Sequence, residues 1–435
     1  MMKVGFVSLG CSKNLVVTEE MIGLFKKKEY EIVSDPGEAD IIVINTCGFI
    51  ESAKEEGVQT ILEMADYKED KCKYLIVTGC LVERYKTELI ELIPEVDLFV
   101  KISEYNDIWK MIDNLVNKGN NEDKMDYHHR MITTGDSMAY LKIAEGCSNY
   151  CTYCAIPYIQ GKYISRKYED ILEEANMLAK KGIKELVVIA QDTTKYGFDL
   201  YGEYRLPELL NDLCKIDGIK WIRFLYSYPE SITDELIEVV KNNDKICKYF
   251  DLPIQHISDD VLRRMNRKSD GSTIRNLISK LRKEIPGVIL RTTLIVGFPG
   301  ETEDNFNELC EFVKESKFDR LGAFAYSIEE GTPAAKFTDQ LDKKTKNKRQ
   351  RKIMFIQQHV SKELMSSRIG NVYECLVENM TEDGQYYIGR TYMDVPSEDG
   401  VVYIKYDPNI MVNEFVNVKI VDSSEYDLIG EVVNQ

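Results

Sequence analysis

AYLKIAEGCSNYCTYCAIP, residues 139–157, decides how this chain is read. A short apolar run leads into a polar loop that carries Cys147, Cys151 and Cys154 in a C-x3-C-x2-C spacing. Three thiolates on one loop suit three irons of a [4Fe–4S] cluster and leave the fourth iron free for a non-protein ligand. The CTYC part alone would also fit a redox dithiol or half of a zinc site. A structural zinc site is closed by four ligands, commonly with a second Cys pair or a His, and no such partner follows here. The third cysteine, with Tyr153 between the last two, favours the iron–sulfur reading.

Working outward, three more of the eleven cysteines share a context. Cys11, Cys47 and Cys80 each follow a short apolar run: KVGFVSLGC, DIIVINTCG and YLIVTGC. If those runs are parallel strands, all three sulfurs lie at the strands' carboxyl ends, where open α/β sheets place their ligands. That placement would hold a second cluster, again on three protein ligands. The competing reading is three buried thiols in a core. Cys72, Cys214, Cys247, Cys310 and Cys375 share no such spacing and read as ordinary thiols.

The rest of the chain divides around these two sets. Residues 1–116 alternate apolar runs with helical patterns and predict a small doubly wound α/β domain with a parallel sheet. Residues 117–137 are polar and without periodicity, which predicts a linker; His128 and His129 in it read as exposed rather than as metal ligands. Over 138–365 the alternation restarts with six strand candidates, AYLKIA, ELVVIA, WIRFLY, YFDLPI, ILRTTLIVG and RLGAFAY. Six βα units predict a partial, open (βα)6 barrel, with its chemistry at the strands' carboxyl ends. The basic stretch KKTKNKRQRK (343–352) is helical and reads either as a nucleic-acid tract or as a solvated helix face. Residues 366–435 hold five short alternating runs separated by turn residues, which predicts a small OB-like β-barrel.

Composition narrows the partners. Net charge is −17, with 16 basic against 25 acidic residues over 1–134, 36 against 35 over 135–365, and 4 against 13 over 366–435. So acidic a terminal domain is a poor binder of phosphate backbones and a suitable surface for a basic partner, or for solubility alone. Asp394, Glu398 and Asp399 are expected to contribute to that surface. No apolar run approaches the roughly 18 residues of a membrane span, and the start lacks a secretory pattern. A cytoplasmic protein with reduced thiols is expected.

Around the barrel, LIVGFPGET (294–302) is a strand ending in a Gly/Pro-rich turn. There Gly297, Pro299 and Gly300 permit close backbone approach to a ligand. IAQDTTKYG (189–197) sets Gln191 and Asp192 at the end of the second strand, and LPIQH (252–256) sets Gln255 and His256 at the end of the fourth. These tips read as lining the barrel mouth or as turn and capping groups, with His256 a hydrogen-bonding pocket residue.

The cysteine loop, the partial barrel and the GFPGET turn together resemble the radical S-adenosylmethionine enzymes. With the N-terminal three-cysteine domain and the terminal barrel, called TRAM, the whole chain is similar to the methylthiotransferase branch of that family. The resemblance implies two [4Fe–4S] clusters, on Cys11, Cys47 and Cys80 and on Cys147, Cys151 and Cys154. It also implies S-adenosylmethionine as cofactor, bound near Tyr153, Gln191, Gln255, Gly297, Pro299 and Gly300. No side chain is assigned a catalytic proton transfer.

The branch contains modifiers of tRNA adenosine and modifiers of a ribosomal protein. LGCSKNLVVTEE (9–20), QDTTKYG (191–197) and GRTYMDVPSEDGVVYI (389–404) resemble the protein-modifying type. That type acts at the β-carbon of an aspartate in ribosomal protein S12 and draws electrons from a donor such as flavodoxin or ferredoxin. Ser12, Lys13 and Asn14 stand where the tRNA type usually has glutamine, methionine and asparagine, so tRNA is disfavoured as the substrate. Tyr-free LVVTEE departs from the family's more usual Asp before a Ser-Glu pair, at positions that carry no expected ligand.

Overall fold

A computed structural model describes residues 1–433; positions 434–435, the last two of the stretch read as the terminal barrel, lie outside the described residues. The chain opens with β1 (Lys3–Ser8), α1 (Ser12–Lys27), β2 (Glu31–Val33), β3 (Ile41–Thr46), α2 (Glu51–Ala65), β4 (Tyr74–Gly79), α3 (Cys80–Leu92), β5 (Leu98–Val100) and α4 (Ile108–Asn117). The five strands form one sheet, in the order β2-β1-β3-β4-β5, paired in parallel throughout. Every residue of β3 is buried, as a parallel strand covered by helices on both faces requires. β2 and β5 have three residues each, too few to leave a pattern in the sequence. The three strands that lead to cysteines, β1, β3 and β4, are neighbours.

Residues 118–137 contain no helix or strand, yet the segment is pinned. Arg130 is buried between Glu19 of α1 (2.6 Å) and Glu174 (2.6 Å), the latter on the helix Tyr168–Lys180. His128 and His129 are nearly half exposed, and His129 Nδ1 lies 3.0 Å from Asp126.

Six parallel strands follow in sequence order: Met138–Lys142, Glu185–Ile189, Trp221–Phe224, Tyr249–Asp251, Ile289–Val296 and Arg320–Ala325. They make two three-stranded sheets, joined by a single parallel bridge between Ile222 and Ile246. The side chains separate with the two-residue period of a strand. Ala139, Leu141, Leu186 and Val188 pack under the helices. Met138, Tyr140, Val187 and Ile189 face the other way, into a cluster with Trp221, Tyr249 and Ile289. That second cluster also takes in Leu376, Met393, Val395 and Val402, so the terminal domain packs into the inner face of the open barrel. The terminal domain is a closed five-stranded barrel of Val372–Met380, Tyr386–Arg390, Val402–Lys405, Leu428–Val432 and Phe415–Ser423, in that spatial order.

The basic stretch lies on the long helix Lys343–Ser366, capped by the Asp342 side chain, which accepts from Thr345 N at 3.0 Å. Lys346, Arg349, Ile353, Gln357 and Val360 form its buried stripe, while Lys343, Lys344 and Lys348 are exposed. Arg349 pairs with Glu301 at 2.7 Å, so part of the basic character is structural.

The terminal domain is locked to the barrel by charges. Glu185, on the second barrel strand, meets Arg223 at 3.0 Å and Arg390 of the terminal domain at 2.6 Å; all three are buried. Arg320 pairs with Asp394 and lies 3.8 Å from Asp399, which also accepts from Tyr249 Oη at 2.7 Å. Arg291 pairs with Glu398. The expected free acidic face at Asp394, Glu398 and Asp399 is therefore corrected: these carboxylates point at barrel arginines, and Asp394 is only 2% exposed. Composition records the excess of acid but not which arginine stands opposite.

Removing one partner of a buried ion pair strands the other charge, at a cost of roughly 3–5 kcal/mol. Asp394→Lys, which sets a cation against Arg320, is expected to lower the thermal midpoint and let limited proteolysis release the terminal domain. An unchanged midpoint and digest would refute the lock.

Candidate active site

The first cysteine set is built by turns at one edge of the N-terminal sheet. Cys11 is the N-cap of α1, Cys47 follows β3 directly, and Cys80 is the first residue of α3. Glycines let these turns approach one another. Gly10 has φ +88°, and a Cβ there would stand 2.7 Å from Cys47 Cβ; one on Gly48 would stand 2.7 Å from Leu81 N. Gly79, at φ +102°, would press a Cβ on the Thr46 backbone. Asn14 ties the turns together. Its Nδ2 donates to Leu9 O and Thr46 O, both at 3.1 Å, and its Oδ1 lies 3.9 Å from Cys80 Sγ. The amino ends of α1 and α3 thus begin at cysteines, where the helix dipole favours thiolate. Burial, with Cys47 and Cys11 nearby, pushes the Cys80 thiol up to about 12.

The second set is held by the barrel. Cys147 N donates to Gly161 O at 3.1 Å, and Cys154 N to Cys151 O at 3.0 Å. Thr152 staples the loop: its N donates to Met265 O at 3.1 Å, its Oγ1 to Arg264 O at 2.8 Å, and its O accepts from Ala334 N at 2.9 Å. Arg267 is buried with Nη1 3.9 Å from Cys151 Sγ, its guanidinium 4.2 Å from the centre of the Tyr228 ring. Burial, reinforced by Cys151, raises the Cys147 thiol to about 11 and Cys154 further. Thiols this reluctant to ionise become thiolates by exchanging their protons for metal. Among the described residues, no three His, Cys, Asp or Glu close round one ion-sized point. Thiolates that each take a different iron of a cluster stand farther apart than the ligands of a single zinc, which lie about 2.0–2.3 Å from it.

The two sets adjoin. Cys80 packs with Ala155 and Ile159, on and beside the short helix after the loop. Gln160 Nε2 lies 3.9 Å from Cys80 Sγ, and its Oε1 accepts from Gln191 Nε2 at 2.8 Å. Gln160 and Asn14 were not singled out in the sequence, because nothing in their spacing marks them. A cavity of about 710 Å³ opens beside Cys11, between Thr134–Met138, Tyr140 and the terminal-domain residues Glu378, Asn379 and Glu398.

The remaining expected residues are distributed as follows. Tyr153 packs against the apolar group that contains Phe298 and Tyr326, so the cysteine loop and the GFPGET turn meet. A Cβ on Gly297 would stand 2.5 Å from Lys346 Cγ, and one on Gly300 2.6 Å from Asp339 Oδ2; Pro299 O accepts from Arg264 at 3.1 Å. Gln255 has φ +70°, in a one-residue bridge to Leu294. Asp192 and His256 do not line the mouth. Asp192 is buried, accepting from Asn149 Nδ2 of the cysteine loop at 2.9 Å. His256 is buried behind the turn, its Nδ1 accepting from Ser258 N at 3.0 Å. Desolvation, with Arg349 adding, drives its pKa down to about 3, so it stays neutral.

Family profiles match in the same three parts: Uncharacterized protein family UPF0004 over 3–101, the Radical SAM superfamily over 141–313 and the TRAM domain over 369–433. A radical S-adenosylmethionine methyltransferase from Kitasatospora setae, TsrM, shares the fold with a TM-score of 0.59 at 12% identity, covering 77% of each chain. The cobalamin-dependent S-adenosylmethionine radical enzyme OxsB superposes with a TM-score of 0.51 at 14% identity, over 82% of this chain and 56% of that one. Fold and site together define a radical S-adenosylmethionine protein. Ribosomal protein uS12 methylthiotransferase RimO of Alkaliphilus oremlandii (strain OhILAs) is 65% identical over the full length of both chains. The protein of the same name in Clostridium novyi (strain NT) is 53% identical over 100% of this chain and 98% of that one. The chain belongs to the RimO family of uS12 methylthiotransferases.

If each cysteine set holds its own cluster, anaerobic reconstitution gives about eight irons per chain, and Cys147→Ala, Cys151→Ala and Cys154→Ala together leave about half. Retention of all the iron, or loss of all of it in a folded variant, would defeat the division into two sites.

Proposed function

We propose that this protein attaches a methylthio group to the β-carbon of an aspartate in ribosomal protein uS12. The carrying observation is the pair of three-cysteine sets in contact through Cys80, Ala155 and Ile159, in a chain aligned end to end with relatives of that name. S-adenosylmethionine and a [4Fe–4S] cluster belong to the superfamily. Cys147, Cys151 and Cys154 are the residues that would hold that cluster. Cys11, Cys47 and Cys80 would hold a second, and their glycine-lined turns and helix amino ends suit an anionic group there.

When bound, these groups supply a carbon-centred radical able to take hydrogen from an unactivated carbon, and a sulfur to fill its place. The protein's own part is orientation and exclusion. Arg267, buried against Cys151, offsets negative charge at the barrel loop. Gln160, bonded to Gln191, keeps the two sets in fixed relation. Tyr153, Gln191, Gln255, Gly297, Pro299 and Gly300 are the proposed cofactor contacts. The three-domain junction shields the site from water, which matters because a stray radical attacks the protein itself.

The terminal barrel favours a protein over tRNA. Of its four basic residues, Arg368 and Arg390 are buried in ion pairs with Asp319 and Glu185, and Lys405 pairs with Glu431. Few cations remain to neutralise phosphates, the main source of affinity for a nucleic-acid backbone. No helix among the described residues is long and apolar enough to cross a membrane. A cytoplasmic setting and a flavodoxin- or ferredoxin-type electron donor complete the reading.

With dithionite as reductant, a variant lacking Cys11, Cys47 and Cys80 is expected to keep cleaving S-adenosylmethionine to 5′-deoxyadenosine while transferring no methylthio group. Transfer by that variant would remove the sulfur role from the N-terminal domain. Mass spectrometry of uS12 and of tRNA from cells lacking the gene decides the substrate: a missing methylthio group on uS12 is expected. Its loss from tRNA adenosine instead would establish the alternative.

A further inference from the structure

The first turn of α1 carries Lys13, two residues after Cys11. Lys13 is 7% exposed, and among the described residues its ammonium has no carboxylate within 4.0 Å and no hydrogen-bond acceptor. Its contact is with the face of Tyr226, 3.5 Å from the ring centre. A cation–π contact offsets part of what an ammonium loses on leaving water, but an unpaired buried cation stays strongly disfavoured unless an anion meets it. The nearest carboxylate of the terminal domain, Glu398, is already engaged by Arg291.

Tyr226 gives the same place a second mark. It stands two residues past the third barrel strand, at φ +61°, a conformation unfavourable for a bulky side chain. Two bonds hold it there: Tyr226 N donates to Asp251 Oδ2 at 2.9 Å, and its O accepts from Thr193 N at 3.1 Å. Such strain survives where the surroundings over-determine it, commonly around a ligand. The 710 Å³ cavity reaches this neighbourhood through Cys11, Tyr140 and Glu398, the last two of which stand near Tyr226.

We infer that Lys13 binds the side-chain carboxylate of the substrate aspartate and thereby sets its β-carbon beside the Cys11 turn. This rests on the protein-substrate reading above and deepens it to a specificity determinant. An aspartate supplies the anion the buried ammonium lacks. A neutral side chain or a purine ring would leave it unpaired, which is the kind of mismatch that discriminates strongly.

The test compares binding of full-length protein to intact uS12 and to uS12 whose target aspartate is replaced by asparagine, by titration calorimetry without turnover. The unaltered protein is expected to bind the aspartate form roughly 10- to 100-fold tighter, the range of one charge-assisted hydrogen bond. Lys13→Met is expected to abolish that preference while keeping its iron content and thermal midpoint, and Lys13→Arg to retain most of it. Equal binding of both uS12 forms by the unaltered protein, or an undiminished preference in Lys13→Met, overturns the inference. Should Lys13→Met fail to fold, the comparison on the unaltered protein decides alone. A methylthio group still transferred to uS12 while the preference is absent sinks only the role of Lys13; no transfer at all by the unaltered protein sinks the substrate reading.

Discussion

Buried arginines hold the three domains in register, and the site depends on that register. Arg130 joins α1 to the first barrel helix through Glu19 and Glu174. Arg390 reaches from the terminal domain to Glu185 on the second barrel strand, and Arg320 reaches from the sixth strand to Asp394. Against hydrophobic replacements such pairs add little net stability, because desolvation cancels much of the attraction. They are strict about geometry, however: a shift that separates one pair leaves two charges stranded out of water.

That strictness has a chemical use. Cys80 opens a helix of one domain, and Ala155 follows the cysteine loop of another, yet they belong to one packed group. Two reactive centres on separate domains must keep a fixed separation if an atom is to pass between them, since effective molarity falls steeply with misplacement. The Gln160 side chain, between Cys80 and Gln191, spans the same join with a polar contact.

Backbone strain gathers at the barrel mouth. Tyr150, Tyr226, Gln255 and Asn266 all have positive φ without being glycine. Asn266 Nδ2 bonds Tyr150 O at 3.0 Å, and Gln255 is gripped on both sides by the fifth strand, through Thr293 O and Ile295 N. The apolar framework beneath, from Ala139 and Leu186 to Leu290 and Leu294, is dense enough to hold these conformations. Rigid elements carry strained loops, a common division between scaffold and site.

Local pattern determined most of the fold. The strand runs before Cys11, Cys47 and Cys80, the six barrel strands and the five terminal strands are all readable, because period-two alternation and apolar runs are properties of neighbouring residues. The C-x3-C-x2-C spacing is equally local, and so the cysteines were legible as candidates. The three-residue strands β2 and β5 were not, since so short a run carries no period. Only the tertiary structure decided which charges meet. Asp394 and Asp399 look like solvated acid in the sequence and prove to be partners of Arg320. Lys13 looks like one more surface lysine and is buried against Tyr226, far away in the chain. Ion pairs and buried cations are set by distances between segments brought together by folding, and one-dimensional spacing does not contain those distances.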